Sequence, residues 1–432
     1  MIEIPQLYHF YLEKNRVFTD SRLAVNGGIF FALKGERFDG NDFALKAIDD
    51  GADYAVVDRI ELANREKCLY VTDALEALQK LANHHRNQLT IPVLAITGSN
   101  GKTTTKELIT AVLSQKYKLL STEGNLNNHI GVPLTILSIN EEHDIAVVEM
   151  GANHLGEIDF LCNIAQPNYG LITNVGKAHI EGFGSFEGVK QTKSELYRYL
   201  AKHNGKGIFV NTANQHLTGL LPDGVETLTY TIDDNKAQLK GEVANNDLYL
   251  VAKVLFPKGW LYIKTKLTGA YNLENVLSAA RIGLHFGIDP LLIQKAIENY
   301  TPRNNRSQVT KVGNATFLLD CYNANPSSMT ASINNFIGMK GDNKAMVLGD
   351  MLELGHESEA EHQMIVDLAK NSGIAEVFLV GSCFEQTETP TYFKKFRSVN
   401  ELNQQNGKDF WSEKFVLVKG SRGIQLEKIV DG

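Results

Sequence analysis

One short stretch constrains this chain more than any other: Pro92-Val93-Leu94-Ala95-Ile96-Thr97-Gly98-Ser99-Asn100-Gly101-Lys102-Thr103-Thr104. Its first part is apolar without alternation, which suits a strand buried on both faces of a parallel sheet. After it, Leu108, Ile109, Val112 and Leu113 share one side of a helical pattern. A glycine-rich turn between such a strand and helix aims backbone N–H groups and a helix N-terminus at one point, and that is an anion site. Glycine lets the backbone approach phosphate oxygens without a Cβ clash. Lys102 can reach β- and γ-phosphates, and Thr103 puts a hydroxyl where Mg²⁺ bridges them. Gly98, Ser99, Asn100, Gly101, Lys102, Thr103 and Thr104 are therefore expected to cradle a nucleoside triphosphate, ATP. The general form of this loop has four residues between its glycines, whereas Gly98 and Gly101 are separated by two. A strand-turn-helix connection that merely contains Gly-Lys-Thr is the competing reading.

The chain has 432 residues. At roughly 100–200 residues per domain, that means two to four domains. Three units are expected. Residues 1–85 carry short apolar runs (Ile29 to Leu33, Tyr54 to Val57, Cys68 to Val71) and end in a connector helix, Ala74 to His85. Residues 86–300 alternate strands and helices, with strands at Ile145 to Val148, Tyr169 to Thr173 and Gly207 to Val210. That alternation implies a doubly wound, mostly parallel α/β sheet. Leu228 to Tyr230, Leu248 to Val251 and Trp260 to Ile263 read as a small antiparallel sheet, closed by a helix from Leu273 to Phe286. Residues 301–432 form a smaller Rossmann-like α/β unit, with strands at Thr316 to Leu319, Ala345 to Leu348, Val377 to Val380 and Phe415 to Val418.

A formal net charge of −7 speaks against a general nucleic-acid binder. Cys68, Cys162, Cys321 and Cys383 lie far apart, so neither a disulfide framework nor a structural zinc site is expected. Met1-Ile2-Glu3-Ile4-Pro5 lacks a signal-peptide pattern, and no apolar run approaches the roughly 20 residues of a membrane helix. The expectation is a cytoplasmic monomer with no membrane insertion.

The shortened loop resembles that of the Mur ligase and folylpolyglutamate synthase superfamily, which carries Gly-Thr/Ser-Asn-Gly-Lys-Thr. Further motifs strengthen the resemblance in the expected order: Gly124 to Pro133, Asp320 to Met329, Gly349 to Gly355 and Lys419 to Gly423. They are most similar to the branch that joins D-alanyl-D-alanine to a UDP-N-acetylmuramoyl tripeptide, a step of peptidoglycan precursor synthesis. The resemblance implies three domains, a small N-terminal one binding the UDP end, a central ATP-binding one and a C-terminal one that closes over ATP and D-alanyl-D-alanine. It also implies an ATP-dependent amide ligase working through an acyl phosphate and a tetrahedral intermediate. A folate polyglutamylating ligase is opposed by the Asn125 to Pro133 and Tyr322 to Met329 segments. A nucleotide-binding module without catalysis is opposed by the joint presence of Lys102, Glu149, His179 and Lys193.

Residue by residue, Glu149 ends a strand where a doubly wound sheet opens its ligand crevice, and an oxygen ligand there suits Mg²⁺. An exposed strand-end carboxylate is the bland alternative. The resemblance assigns Glu149 to magnesium, His179 to a second Mg²⁺, and to Lys193 a carbamate that also holds metal. Carbamylation needs a neutral amine and hence a depressed lysine pKa. A solvated surface lysine is the alternative, and Ser194 stands where the family usually has glycine. Asn272 and Asn275, three apart, share a helix face, and capping would explain one of them. The resemblance puts Asn272 at adenine, Arg306 at the ATP phosphates and Asp320 at the ribose or hinge. Leu319 replaces an often acidic neighbour and Cys321 a usual serine. Ser21 and Arg22 read equally as uracil or diphosphate contacts and as an ordinary turn cap. Asn127 and Asn128 are expected at the muropeptide. Asn323, Asn325, Lys419, Ser421 and Arg422 are expected on the C-terminal side of the cleft, where an arginine can clamp a carboxylate.

Overall fold

In the computed structural model, which describes residues 1–233, 236–303 and 305–430, three α/β sheets follow one another along the chain. The first has strands β1 (Val17–Phe18), β2 (Ile29–Phe31), β3 (Tyr54–Val57) and β4 (Cys68–Tyr70), in that order and all parallel. Strand alternation sends Ile29 and Phe31 to one face and Phe30 to the other, so both faces are packed. An N-terminal helix, α1 (Ile4–Lys14), absent from the sequence expectation, covers one face with Leu7 and Tyr11. Tyr11 donates its hydroxyl to the Leu137 carbonyl at 2.7 Å, tying this unit to the next.

The connector helix α2 (Ala74–Arg86) starts at Asp73, whose carboxylate accepts from the Glu76 N–H at 2.8 Å. Its polar end is only partly solvated. His85 and Arg86 are buried, and their ring and guanidinium nitrogens donate to the carbonyls of Ile139 (2.8 Å) and Ala165 (2.9 Å).

The central sheet has nine strands: β5 (Val93–Thr97), β6 (Leu119–Ser121), β7 (Ile145–Glu149), β8 (Tyr169–Ile172), β9 (Gly207–Asn211), β10 (Thr227–Thr231), β11 (Leu239–Asn245), β12 (Val251–Phe256) and β13 (Gly259–Lys264). Their order is β13-β12-β11-β10-β9-β8-β5-β7-β6. The antiparallel strands expected after residue 226 do not form a sheet of their own. They extend the same sheet, and only β11-β12-β13 are antiparallel. Thr227–Thr231 pairs parallel with both its neighbours. Its run of alternating residues looks the same in either direction, so the sequence carries no signal for this.

The third sheet, β14 (Gln308–Val312), β15 (Ala315–Asp320), β16 (Lys344–Gly349), β17 (Glu376–Val380), β18 (Lys394–Phe396) and β19 (Phe415–Lys419), runs in the order β14-β15-β19-β16-β17-β18. Only β14 is antiparallel to its neighbour.

In the central sheet β5 is flanked by β7 and β8, all three parallel, so the loops leaving their C-terminal ends converge. The order reverses here, where open α/β sheets form their ligand crevice. No helix of the described residues is long and apolar enough to cross a membrane.

Candidate active site

The loop after β5 is held in shape by the loop after β8. Ser99 N–H donates to the Asn174 carbonyl (3.0 Å) and Asn100 N–H to Asn174 Oδ1 (2.9 Å). Thr173 Oγ1 donates to the Asn100 carbonyl at 2.6 Å. Gly98 adopts φ +141°, and a Cβ there would stand 2.0 Å from Thr173 Oγ1. Gly101, at φ +77°, opens helix α3 (Lys102–Leu113), so the free N–H groups of a helix start face the cleft. Lys102 folds back and donates to the Gly98 carbonyl at 2.7 Å. Burial pushes its pKa down, against the pull of Glu149 and with the help of Arg306.

Glu149 ends β7 and is 1% exposed, which removes the reading of a solvated strand-end carboxylate. Its Oε1 accepts from Asn127 Nδ2 (2.8 Å) and Thr103 Oγ1 (3.3 Å). Its Oε2 is buried without a hydrogen-bond partner. An unpartnered buried carboxylate oxygen is expensive, and a hard cation is its natural complement. With the Thr103 hydroxyl beside it, the donor set is all oxygen, and the residues present fit Mg²⁺.

Lys193 sits inside helix α4 (Phe186–Lys202) and is 2% exposed, so it is no surface lysine. Its Nζ lies 5.2 Å from the centre of the Phe183 ring. Burial, with the nearby Lys102 charge, lowers its pKa to about 7. Two residues on, buried Glu195 accepts from the N–H groups of Gly156 (2.8 Å) and Asp159 (3.0 Å) and fixes the neighbouring loop. His179 has φ +52° and turns Nδ1 to the carboxylate of Glu353, across to the third sheet's unit.

Neither Asn272 nor Asn275 caps its helix, α5 (Asn272–His285), which begins at Tyr271. They form a buried chain instead: Thr105 Oγ1 donates to Asn275 Oδ1 (2.9 Å), Asn275 Nδ2 to Asn272 Oδ1 (2.8 Å), and Asn272 Nδ2 to the Thr268 carbonyl (2.8 Å). The chain links α5 to the phosphate-loop helix.

From the third sheet, Asp320 at the end of β15 pairs with its register partner Lys419, Oδ2 to Nζ 2.9 Å. Lys419 Nζ also donates to the Asn323 carbonyl at 3.0 Å. Arg306 stacks over the Tyr322 ring, 3.7 Å from its centre, with its buried Nε free of a hydrogen-bond partner. Asn325 caps helix α6 (Pro326–Gly338) through Oδ1 and donates from Nδ2 to Asn100 Oδ1 at 2.8 Å. Lys177 reaches Glu361 at 2.7 Å in the same seam, and that partner raises its pKa.

A cleft of about 910 Å³ is lined by the phosphate loop, Asn127, Asn128, Glu149, His179, Asn272, Arg306, Asp320, Asn323, Asn325 and Lys419. Five expected side chains are not among those lining it: Lys193, Ser421, Arg422, Ser21 and Arg22, with Arg422 exposed. Lys193 is buried within its helix and close enough to Lys102 to feel its charge. Ser421 accepts the Leu352 N–H on its hydroxyl at 3.0 Å and is 2% exposed, so it fastens the loop after β19 to the loop after β16. Ser21 and Arg22 lie in the first unit, where Asp20 caps the turn through the Arg22 N–H (3.0 Å) and binds the Arg22 side chain (2.6 Å). Asn128 lines the cleft, but its Oδ1 accepts from Ile130 and Gly131 and starts the next helix. Thr173, Asn174, Glu195 and Glu353 went unnoticed in the sequence. Their roles depend on strand order and domain docking, for which no local pattern exists.

Fold and site together define an α/β phosphate-loop protein with a buried, partly unpartnered carboxylate in the same cleft. Three family models match successive parts of the chain: "Mur ligase family, catalytic domain" at residues 15–86, "Mur ligase middle domain" at 96–283 and "Mur ligase, glutamate ligase domain" at 305–422. The chain belongs to the Mur ligase family. It is 34% identical to the UDP-N-acetylmuramoyl-tripeptide--D-alanyl-D-alanine ligase of Bacillus subtilis (strain 168), covering 96% of this chain and 92% of the relative. Among solved structures it is similar to MurF from Acinetobacter baumannii (TM-score 0.83, 32% identity, 96% and 93% of the two chains). It is also similar to the MurF ligase from Thermotoga maritima in complex with ADP (TM-score 0.84, 25% identity, 96% of each chain).

Proposed function

We propose that this chain is an ATP-dependent ligase that joins D-alanyl-D-alanine to the terminal carboxylate of UDP-N-acetylmuramoyl tripeptide, releasing ADP and phosphate. The observation that carries the chemistry is one cleft containing a phosphate cradle and the unpartnered buried oxygen of Glu149. The choice of substrates rests on the relatives' names, matched over 96% of the chain.

The difficult part of this reaction is bringing two anions together. The loop N–H groups of Gly98 to Thr104 and the Lys102 ammonium bind the β- and γ-phosphates, and Arg306 reaches them from the third sheet. Thr103 and Glu149 would hold one Mg²⁺, and His179 with a carbamylated Lys193 a second; bound there, the metal would supply the remaining charge neutralisation. A carboxylate oxygen of the tripeptide attacks the γ-phosphorus, the bond to the β-phosphate oxygen breaks, and ADP leaves. The amine of D-alanyl-D-alanine then attacks the acyl carbon and gives up a proton. The tetrahedral adduct collapses to the amide as the carbon–oxygen bond to phosphate breaks.

Asn272 is assigned to adenine and Asp320 to ribose. Ser21 and Arg22 are assigned to the UDP end, and Asn127 and Asn128 to the muropeptide. Asn323, Asn325, Lys419 and Arg422 are assigned to the dipeptide side. Residues 1–85, 86–300 and 301–432 then form the UDP-binding, ATP-binding and closing domains of a cytoplasmic monomer. Phosphate release measured with each substrate omitted in turn tests this. Turnover is expected only with ATP, the UDP-muramoyl tripeptide and D-alanyl-D-alanine together; turnover with a folate and glutamate overturns it.

A further inference from the structure

Two guanidinium groups, Arg306 inside the cleft and Arg422 on its exposed side, share one aromatic ring that lines the cleft. Arg306 Cζ lies 3.7 Å from the centre of the Tyr322 ring and Arg422 Cζ lies 5.0 Å from it. Tyr322 lies two residues beyond the end of β15, and Arg422 three beyond the end of β19, the neighbouring parallel strand. Adjacent strands thus bring Arg422 beside Tyr322 from a hundred positions further along the chain, while Arg306 precedes the strand hairpin that leads to Tyr322.

Arg306 is presented on an unusual backbone. Asn305 (φ +56°) and Ser307 (φ +49°) both lie in the left-handed region on either side of it. Non-glycine residues hold that conformation only when the surroundings enforce it. Here Asn305 N–H donates to Gln308 Oε1 (3.2 Å) and Ser307 N–H to Asp320 Oδ1 (3.3 Å). The turn fixes where the side chain starts, and the ring fixes where it ends. A planar guanidinium flat on an aromatic face keeps its N–H edges free for in-plane partners. The buried Nε of Arg306 has no hydrogen-bond partner, so the ring is what orients the group.

We infer that Tyr322 is a positioning residue that aims Arg306 and Arg422 together, one at the nucleotide phosphates and the other at the carboxylate of the incoming dipeptide. The inference rests on the proposed ligase reading and goes beyond it by coupling two substrate sites through one ring. The ring's negative face attracts both cations and offsets their mutual repulsion. Removing it leaves two like charges to drift apart, so both substrates lose affinity at once. The phenol hydroxyl has no part in this.

The test is steady-state kinetics of Tyr322→Leu and Tyr322→Phe with each substrate varied. Tyr322→Leu is expected to raise KM for ATP by about tenfold, the scale of a desolvated cation–π contact, and KM for D-alanyl-D-alanine by about fivefold, the scale at the exposed Arg422. KM for the UDP-muramoyl tripeptide and kcat should stay within about threefold, a split that general loosening of the fold would not give. Tyr322→Phe should restore all values to within about twofold. If Tyr322→Leu does not fold, Arg422→Gln serves: it should raise KM for the dipeptide alone, leaving that for ATP unchanged. Unchanged dipeptide and ATP KM values in Tyr322→Leu, or a Tyr322→Phe as impaired as Tyr322→Leu, overturn the inference while wild-type turnover leaves the ligase reading intact. A wild type without turnover on these substrates overturns the reading itself.

Discussion

Asn325 donates a hydrogen bond from Nδ2 to Oδ1 of Asn100 over 2.8 Å, so the cap of a helix in the third sheet's unit also holds the middle of the phosphate loop. The same residue performs two tasks that substitution can separate. Serine caps a helix about as well as asparagine but is too short to reach Asn100. Asn325→Ser is expected to keep stability within about 0.5 kcal/mol and to raise KM for ATP several-fold. Asn325→Ala loses the cap as well and should cost about 1 kcal/mol more. Urea melts and phosphate-release kinetics on the two variants check this; equal KM values for wild type and Asn325→Ser would show that the contact does not act on the loop.

Lys102 is a cation held in a desolvated place, and its lowered pKa reflects the cost. Lys102→Met should therefore leave thermal stability unchanged or raised, since an apolar side chain escapes that cost. Nucleotide turnover should fall by a factor on the order of a hundred or more, as for removal of other preorganised charge stabilisers. A destabilised yet active variant would contradict both halves.

Gly98→Ala places a methyl 2.0 Å from Thr173 Oγ1 in a backbone region that disfavours side chains. A loss of roughly 2–4 kcal/mol is expected. Adding Thr173→Ala removes the nearest atom but leaves the backbone strain, so the double variant should recover only part. Full recovery would mean that the φ of +141° carries no cost.

Lys193 bears on pH. Its folded pKa, about 7, lies below the ordinary lysine value of 10.5. Between these values the unfolded chain binds a proton that the folded chain does not, so stability contributed here rises with pH through that window and is lowest below it. The neutral amine that CO₂ requires likewise accumulates as pH rises through 7. Intact-mass measurement should show an adduct of one CO₂ at mildly alkaline pH, lost on acidification and missing in Lys193→Ala. Identical masses throughout would remove the carbamate.

Much of this was legible in the sequence because the decisive signals are local. The run Pro92 to Thr104 reads as strand, anion loop and helix, and the structure has β5, a glycine-shaped loop and α3 there. Strands buried on both faces, such as Ile145 to Glu149, stand out as unbroken apolar runs. Direction and docking did not read out. The alternating residues of Thr227–Thr231 pair parallel, and nothing in their pattern distinguishes that from antiparallel. Asn127 was expected to touch substrate; it lines the cleft and also donates from its amide to Glu149, a contact set by the packing of two loops. Ser421 stands in a motif of charged and polar neighbours, but its hydroxyl accepts from Leu352 in the loop after the neighbouring strand β16. The supports of the phosphate loop, Thr173 and Asn174, come from the strand beside it in space, some seventy positions away in the chain.

The most direct test of the central claim follows one oxygen atom. The tripeptide carboxylate is labelled with ¹⁸O, the full reaction with ATP and D-alanyl-D-alanine is run, and the released phosphate is analysed by mass. Activation of the carboxylate at phosphorus predicts one ¹⁸O in each phosphate released. Unlabelled phosphate would contradict an acyl phosphate formed between Lys102 and Glu149.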